Sequence, residues 1–588
     1  MTGYLGNQCM NSPVIERKAT LAAALTYTPV PLAFGTSGRR GDVVDLSQLE
    51  IYINVRADLD YLFSLPSTAG GIVLGQSFFY ACDLRPSSTQ CVAAQGGRGE
   101  LAQTVASAIG DAGLVPVFLG TIPTPALTAY GIAHGCGSIM VTGSHIPFER
   151  NGYKTNSARG ELRKEDETPI AQHVARWRDR LYREAAVVSR FDSNGMLKSG
   201  PSPLPGVDDS ARRAYLERLN AFFGADCLRG RKVLVYQHSA VGRDLLVEML
   251  EHLGATVRAV GRSEVFVPID TEAIDGTTLE SMRQLAAQAS ADGTLYDALV
   301  STDGDSDRPL VVGLDYDAAG RCAARFWGGD LLGMLTAEYL SPDAVVVPVS
   351  CNDAIDRGPL ASKLQARTRI GSPHVIAGME AALAAGRRRV CGWEANGGFF
   401  IASVFVRNGT SLPALPTRDA FLPIIAILVM LEERGLGVNA LFETLPRRFS
   451  CAGLLRRFPR VVSLHIVAAL SPLPAALDGQ AGQRRIATRV VEFFGDSDGF
   501  GAPVTFDYTD GVRITFDNGD IAHVRPSGNA DELRIYAVAG SQARADAIVA
   551  AAVAEPNGIL RRLAIAFGEN AAPPDGTIDD IDNIQIEG

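Results

Sequence analysis

No two of the nine cysteines stand at CxxC spacing, and they are scattered from Cys9 to Cys451. That excludes the commonest zinc-cluster signatures. An odd, dispersed set reads as reduced thiols, not as a disulfide framework. A basic excess is also lacking. The formal net charge of -10 argues against a nucleic-acid or anionic-membrane partner. It leaves room for a small anionic substrate wherever local basic groups line a site. Long apolar runs are missing too. Phe421–Leu431 is strongly apolar but contains Pro423 and is too short to cross a bilayer, so it reads as a buried helix. The start has no basic run leading into an apolar core, and Ala19–Leu25 is short and weakly apolar. Together these absences predict a cytoplasmic protein with no membrane or nucleic-acid partner.

What is present is an ordinary globular composition, 46% hydrophobic and 20% charged over 588 residues. At about 150 residues per domain that predicts roughly four domains. Strand-like and helix-like patterns alternate. Val115–Leu119 reads as a strand, Thr124–His134 as a helix, and Ser138–Val141 as the next strand. Downstream, Val233–Tyr236, Thr256–Val260 and Ala298–Ser301 read as strands, with a helix over Gly242–Leu253 that Gly254 ends. A third round starts at Ala344–Val349 and reaches Arg389–Gly392. The last portion differs. Val504–Tyr508, Gly511–Phe516 and Leu533–Val538 read as antiparallel strands with a turn at Asp517–Gly519, followed by a helix over Ser541–Val553. The expected architecture is α/β: three similar α/β domains with mixed sheets and a C-terminal α+β domain around a central cleft. The expected divisions are 1–205, 206–325, 326–450 and 451–588. The acidic tail Ala571–Gly588 is expected to be poorly ordered.

The chemistry concentrates in a few loops. Thr142-Gly-Ser-His-Ile-Pro147 follows a strand, placing Ser144 and His145 where open α/β sheets bind ligands. A Ser-His dipeptide alone is common, and the G-x-S-x-G elbow is absent. Lys154 in isolation reads as a surface lysine. Asp303, Asp305 and Asp307 alternate in a second loop after a strand. Three hard oxygen ligands without a surrounding cage suit magnesium and phosphate. A calcium EF-hand loop fails, because its glycine and glutamate positions hold Arg308 and Leu314. A solvated acidic turn stays open as the plain reading. Arg525-Pro-Ser-Gly-Asn529 offers a guanidinium, a hydroxyl, backbone donors and an amide, either a phosphate nest or a simple turn. Phe34–Gly41 is glycine-rich with two arginines but lacks the lysine and spacing of a nucleotide P-loop.

The order of these pieces resembles the α-D-phosphohexomutase superfamily, most closely its phosphomannomutase and phosphoglucomutase members. The resemblance runs from about Phe34 to Val538. Phe34–Gly41 is similar to the family's N-terminal loop, with Arg40 at its arginine. Thr142–Pro147 is similar to the phosphoserine loop T-[GA]-S-H-N-P, and Asn151–Lys154 to N-G-x-K. Asp303–Arg308 is similar to D-G-D-[AGS]-D-R, and Arg525–Asn529 to R-P-S-G-[TN]. There are departures. Ile146 replaces an asparagine. The sugar loop, usually G-G-E-M-S-G-H, reads Gly392-Trp-Glu-Ala-Asn-Gly-Gly398, so Gly398 stands at the histidine position. Residues beyond a typical bacterial relative are placed at the N-terminus, near Glu161–Leu204 and at the tail.

The resemblance implies an isomerase that moves phosphate between the 6- and 1-positions of a hexose, mannose in first place. It implies a phosphoserine and a hexose 1,6-bisphosphate that also serves as activator. Ser144 carries the phosphate beside Mg2+, which is held by Ser144, Asp303, Asp305 and Asp307. Lys154 and His145 handle protons, and Arg40 and Arg308 stabilise charge. Glu394 and Asn396 meet the sugar. Arg525, Ser527, Gly528, Asn529 and Arg534 hold the distal phosphate of the hexose phosphate substrate. A monomer or dimer is expected. The alternatives are a phosphoglucomutase, a hexose-bisphosphate synthase, a metal-dependent sugar phosphatase and a non-enzymatic sugar-phosphate binding protein.

Overall fold

The computed structural model describes residues 19–35, 38–200, 203–272, 274–318, 320–472, 479–528 and 531–568. The start, Met1–Lys18, and the tail, Ala571–Gly588, lie outside the described residues.

The first sheet contains β1 (Arg39–Asp42), β2 (Ser77–Cys82), β3 (Val115–Phe118), β4 (Ser138–Val141) and β5 (Arg150–Ser157) in the order β1-β5-β4-β2-β3. Strand β2 is parallel to β3 and β4, whereas β5 is antiparallel to β4 and β1. Helix α1 (Gln48–Ser64) starts where the Ser47 hydroxyl accepts from the Glu50 N–H. Helix α2 (Thr124–Ala133) links β3 to β4. Helix α3 (Glu167–Arg183) buries Ile170, Val174, Trp177 and Leu181, and the Trp177 indole N–H donates to Asp60 on α1 (2.7 Å).

The second sheet runs β7-β6-β8-β9-β10, from β6 (Lys232–His238), β7 (Thr256–Arg262), β8 (Ala298–Thr302), β9 (Pro309–Tyr316) and β10 (Cys322–Trp327). The expected division at 325 would cut through β10, which pairs with β9 along its length. Gly328 follows β10 and precedes the helix Gly329–Leu340.

The third sheet is β11 (Ala344–Val346), β12 (Val390–Trp393), β13 (Phe399–Ile401) and β14 (Leu415–Asp419), neighbours in that order. Strand β11 is shorter than the expected Ala344–Val349. Helix α4 (Phe421–Arg434) follows β14 and is buried from Phe421 to Leu431. Pro423 sits in its first turn, where an amide N–H has no helical partner to lose. Among the described residues no helix is long and apolar enough to cross a membrane.

The fourth sheet is antiparallel throughout, in the order β15-β19-β18-β17-β16. Its strands are β15 (Phe449–Arg456), β16 (Pro503–Asp507), β17 (Val512–Phe516), β18 (Ile521–Pro526) and β19 (Glu532–Ala539). Strand β15 starts before the expected division at 450, because its pairing with β19 begins at Phe449. Arg525 therefore stands at the end of strand β18, not in a turn.

One apolar cluster runs from Phe79 to Leu445 through the first three units. The fourth closes a core of its own between Leu455 and Leu563. Polar contacts join it to the third unit. Ile370 N–H donates to Asp510 (3.0 Å), and Arg448 donates to the Gly519 carbonyl (2.7 Å).

Candidate active site

The three α/β sheets share one local device. A strand that pairs in parallel (β4, β8, β12) runs into a loop, and the chain returns antiparallel (β5, β9, β13). The loops are 142–149, 303–308 and 394–398, all at carboxyl ends of parallel strands, where ligands bind in such sheets.

The serine loop is under backbone strain. Ser144 is buried with φ 54°, a left-handed conformation that non-glycine residues adopt only when held there. Two neighbours hold it. Ser144 N–H donates to Thr142 Oγ1 (2.7 Å), and that hydroxyl donates to Asp83 Oδ2 (2.8 Å). Beneath the loop, the Arg85 guanidinium donates to the carbonyls of Ser144 (2.9 Å), Pro147 (2.7 Å), Arg150 (2.9 Å) and Ile146. Its other side lies 3.8 Å from the Phe266 ring centre. A Cβ at residue 143 would come within 2.5 Å of Arg85 Nε, so only glycine fits there. The loop is thus braced through its backbone, and the Ile146 side chain is buried where the family usually has asparagine.

The acidic loop meets this serine directly. Ser144 Oγ donates to Asp303 Oδ2 (2.7 Å), and Gly304 lies so close that a Cβ would stand 2.6 Å from the Ser144 carbonyl oxygen. Lys154 Nζ donates to Asp305 Oδ2 (2.7 Å) and Asp307 Oδ2 (2.8 Å), and Thr124 Oγ1 donates to Asp305 Oδ2 (2.7 Å). Asp303 Oδ1 accepts from the N–H groups of Asp307 (3.1 Å) and Arg308 (3.2 Å). Burial and the two neighbouring carboxylates push the Asp303 carboxyl well above its ordinary range. Burial also opposes ionisation of Asp305, but Lys154 overrides it and holds that carboxyl well below the ordinary range.

These groups fit a divalent cation. Ligand oxygens of Asp303, Asp305 and Asp307 lie within 4.8 Å of one another. Oδ1 of Asp305 and Oδ1 of Asp307 are buried with no hydrogen-bond partner, and only Asp307 Oδ1 has a protein cation near it, Arg308 Nε at 3.5 Å. Buried carboxylate oxygens are rarely left so unless a cation takes them.

A basic wall faces the acids. Burial and the charges of Arg308, Arg40 and Arg534 push His145 well below the usual imidazole range, so the ring is neutral at ordinary pH. Its Nδ1 stands 3.4 Å from Ser144 Oγ. Arg40 is pushed down to about 10 by burial and the nearby Arg308. Arg40 Nη2, Arg308 Nε and Arg534 Nε are buried with no hydrogen-bond partner. Guanidinium atoms left so suit a phosphate. From the fourth unit, Arg525 and Arg534 are register partners on β18 and β19. Arg525 Nε donates to Asp510 (2.9 Å), while Arg534 pairs with Glu532 (3.1 Å) and reaches Glu272 (3.6 Å). Ser527 is buried, and its N–H donates to the Glu532 carbonyl (2.9 Å). Gly528 is exposed, and Asn529 lies outside the described residues.

In the sugar loop, Asn396 Oδ1 accepts from the Gly398 N–H (3.0 Å) and so shapes its own loop. Glu394 accepts from Arg418 Nη1 (2.9 Å). Arg418, Arg85, Thr124 and the segment Asp270–Glu272 were not singled out from the sequence. Thr271 Oγ1 donates to the Asn396 carbonyl (2.8 Å), tying the second unit to the third.

Comparison with known proteins agrees with this fold. Family models for phosphoglucomutase/phosphomannomutase match at residues 31–180 (alpha/beta/alpha domain I), 328–449 (alpha/beta/alpha domain III) and 481–555 (C-terminal domain). The first match takes in most of α3, so that helix is shared architecture, not part of an insertion beginning near Glu161. A phosphomannomutase of Sinorhizobium fredii is 36% identical over 530 residues, covering 89% of this chain and 98% of that protein. One of Salmonella muenchen is 36% identical over 523 residues, covering 88% and 94%. Among solved structures, a phosphoglucomutase/phosphomannomutase family protein of Burkholderia thailandensis shares the fold with TM-score 0.61. It is 18% identical and covers 91% of this chain and 98% of that chain. The N-acetylphosphoglucosamine mutase of Aspergillus fumigatus, in complex with glucose 1,6-bisphosphate, gives TM-score 0.52 at 17% identity over 95% and 99%. The chain belongs to the phosphoglucomutase/phosphomannomutase family, within the α-D-phosphohexomutase superfamily.

Proposed function

We propose that this protein interconverts mannose 6-phosphate and mannose 1-phosphate, with Ser144 as the phosphate carrier. One contact carries the reading. The Ser144 hydroxyl touches Asp303 across 159 positions of chain, inside a triad of buried acids flanked by Lys154. The two phosphomannomutase relatives, matched over nearly their whole lengths, support mannose as the sugar.

In the active enzyme Ser144 bears a phosphate. Asp303, Asp305 and Asp307, with a phosphoserine oxygen, would hold Mg2+, whose charge draws electron density from the phosphorus. The sugar hydroxyl attacks that phosphorus, the bond from phosphorus to Ser144 Oγ breaks, and a bond to the sugar oxygen forms. Lys154 moves the proton from the attacking hydroxyl toward the departing serine oxygen. His145, beside Oγ, assists that exchange. Arg40 and Arg308 face the charge on the transferring group. Glu394 and Asn396 meet ring hydroxyls. Arg525, Ser527, Gly528, Asn529 and Arg534 hold the phosphate that is not reacting.

The product of this half-reaction is a hexose 1,6-bisphosphate. It must turn over before returning a phosphate to Ser144, and the same bisphosphate would prime an unphosphorylated enzyme. The separate core of the fourth unit and its polar contacts to the third suit a body that swings to permit the turn.

The test is a panel of mannose 1-phosphate and glucose 1-phosphate with Mg2+ and a catalytic amount of glucose 1,6-bisphosphate. The mannose substrate should turn over faster. Faster glucose turnover would make the protein a phosphoglucomutase. Inorganic phosphate without isomerised sugar would point to a phosphatase.

A further inference from the structure

Residue 398 has no side chain, and the structure shows what fills the space. A Cβ built on Gly398 would stand 2.4 Å from Arg418 Cδ and 2.6 Å from Arg418 Cγ. The backbone at Gly398 is outside the left-handed region, so it is Arg418 and not the chain's conformation that excludes a side chain there.

Arg418 lies on β14 and is 2% exposed. Its Nε donates to Asp307 Oδ2 (3.0 Å) and its Nη1 donates to Glu394 Oε2 (2.9 Å). One guanidinium therefore spans a carboxylate of the acidic loop and the carboxylate of the sugar loop. The adjacent residue extends the link. Thr417 Oγ1 donates to Glu161 Oε1 (2.6 Å), so strand β14 also reaches the first unit. A planar fork between two buried carboxylates fixes both in orientation as well as in charge, which lysine or a neutral side chain cannot do.

We propose that Arg418 is a positioning residue that holds Glu394 in register with Asp307, and that Gly398 and Arg418 form a matched pair in which the glycine exists to admit the arginine. The proposal rests on the reading of Glu394 as a sugar contact. It assigns the space beside the sugar loop to a residue on another strand, and it makes the metal loop and the sugar loop one mechanical unit.

Two independent arms test it. In the first, Arg418→Met and Arg418→Lys are assayed with mannose 1-phosphate over a range of Mg2+ concentrations. Arg418→Met should raise KM for the sugar phosphate about tenfold or more and raise the Mg2+ needed for half-maximal rate. Arg418→Lys should recover part of both. In the second arm, thermal midpoints of Gly398→Ala, Arg418→Ala and the double variant are compared. Gly398→Ala should lower the midpoint in the native background and lower it clearly less once Arg418 is alanine, which removes Cγ and Cδ but leaves a Cβ 3.0 Å away. Wild-type KM and Mg2+ dependence in Arg418→Met would overturn the positioning role. An equal cost of Gly398→Ala with and without Arg418 would overturn the pairing. Should the wild-type protein isomerise no hexose phosphate, the functional reading fails, while the second arm still decides the pairing.

Discussion

Replacing Arg85 by methionine should loosen the serine loop without touching any group that meets substrate. Methionine keeps an apolar stem but removes every donor, together with the guanidinium that stacks on Phe266. The carbonyls of Ser144 and Ile146 lose the guanidinium that bonds them in a buried site. A buried polar group left unpaired costs about 1–3 kcal/mol. Asp83 loses its cation, 3.3 Å away, but keeps bonds from Thr142 Oγ1, Ser88 Oγ and the Gly143 N–H. That places the total at about 4 kcal/mol, in the range for breaking a buried pair. The loop also stores strain at Ser144, which it can now release. Amide hydrogen exchange across residues 142–150 reads this directly, because about 4 kcal/mol of local stability is roughly a thousandfold in protection. The rate of phosphate transfer from glucose 1,6-bisphosphate to Ser144 should fall in parallel. Native protection and native transfer in Arg85→Met would refute the reasoning, since the brace would then carry no energy.

Other outcomes follow from the same geometry. Asp330 is buried with Oδ1 unpaired, and burial pushes its carboxyl up to about 6. A folded-state value above the unfolded one favours the fold at low pH and costs stability as pH rises through about 6, so Asp330→Asn should stabilise the protein at pH 8, by up to about 3 kcal/mol, and far less at pH 4. Thermal midpoints at the two pH values check this. Chelation with EDTA should abolish isomerisation while leaving the far-ultraviolet circular dichroism unchanged, and added Mg2+ should restore the rate. Asp305→Asn should cut kcat by about a thousandfold or more, read in the same coupled assay, because it removes a ligand and one of the two partners of Lys154. Arg525→Met should raise KM for hexose phosphates while sparing the Mg2+ dependence. Arg525 sits on the fourth unit, bound to Asp510, away from the acidic triad's own contacts.

The parts of the site that could be read in the sequence are those whose chemistry lies within one loop. Ser144 with His145, the alternating Asp303, Asp305 and Asp307, and Arg525 through Gly528 are each compact signals. The loops of Ser144 and of the three aspartates follow short apolar strands that the sequence also shows. Arg418 gave no such signal. Its partner Asp307 is 111 positions away, and an arginine before Asp419 looks like any residue at a helix entrance. Arg85 binds carbonyls more than fifty positions downstream, and backbone acceptors leave no mark on a sequence. Helix α3 was masked by its charge, although Ile170, Val174, Trp177 and Leu181 keep one face. Strand β18 was hidden because His523 and Arg525 interrupt its apolar alternation, and both point to polar partners, the Asp510 carbonyl and the Asp510 carboxylate.

The claim beneath all of this is that Ser144 receives phosphate and gives it back. Intact-protein mass and peptide mapping after incubation with glucose 1,6-bisphosphate and Mg2+ measure it directly. One phosphate should be added on Ser144 and disappear when excess mannose 6-phosphate is supplied, with none on Ser144→Ala. Phosphate on another residue, or isomerisation at the native rate by Ser144→Ala, would contradict it.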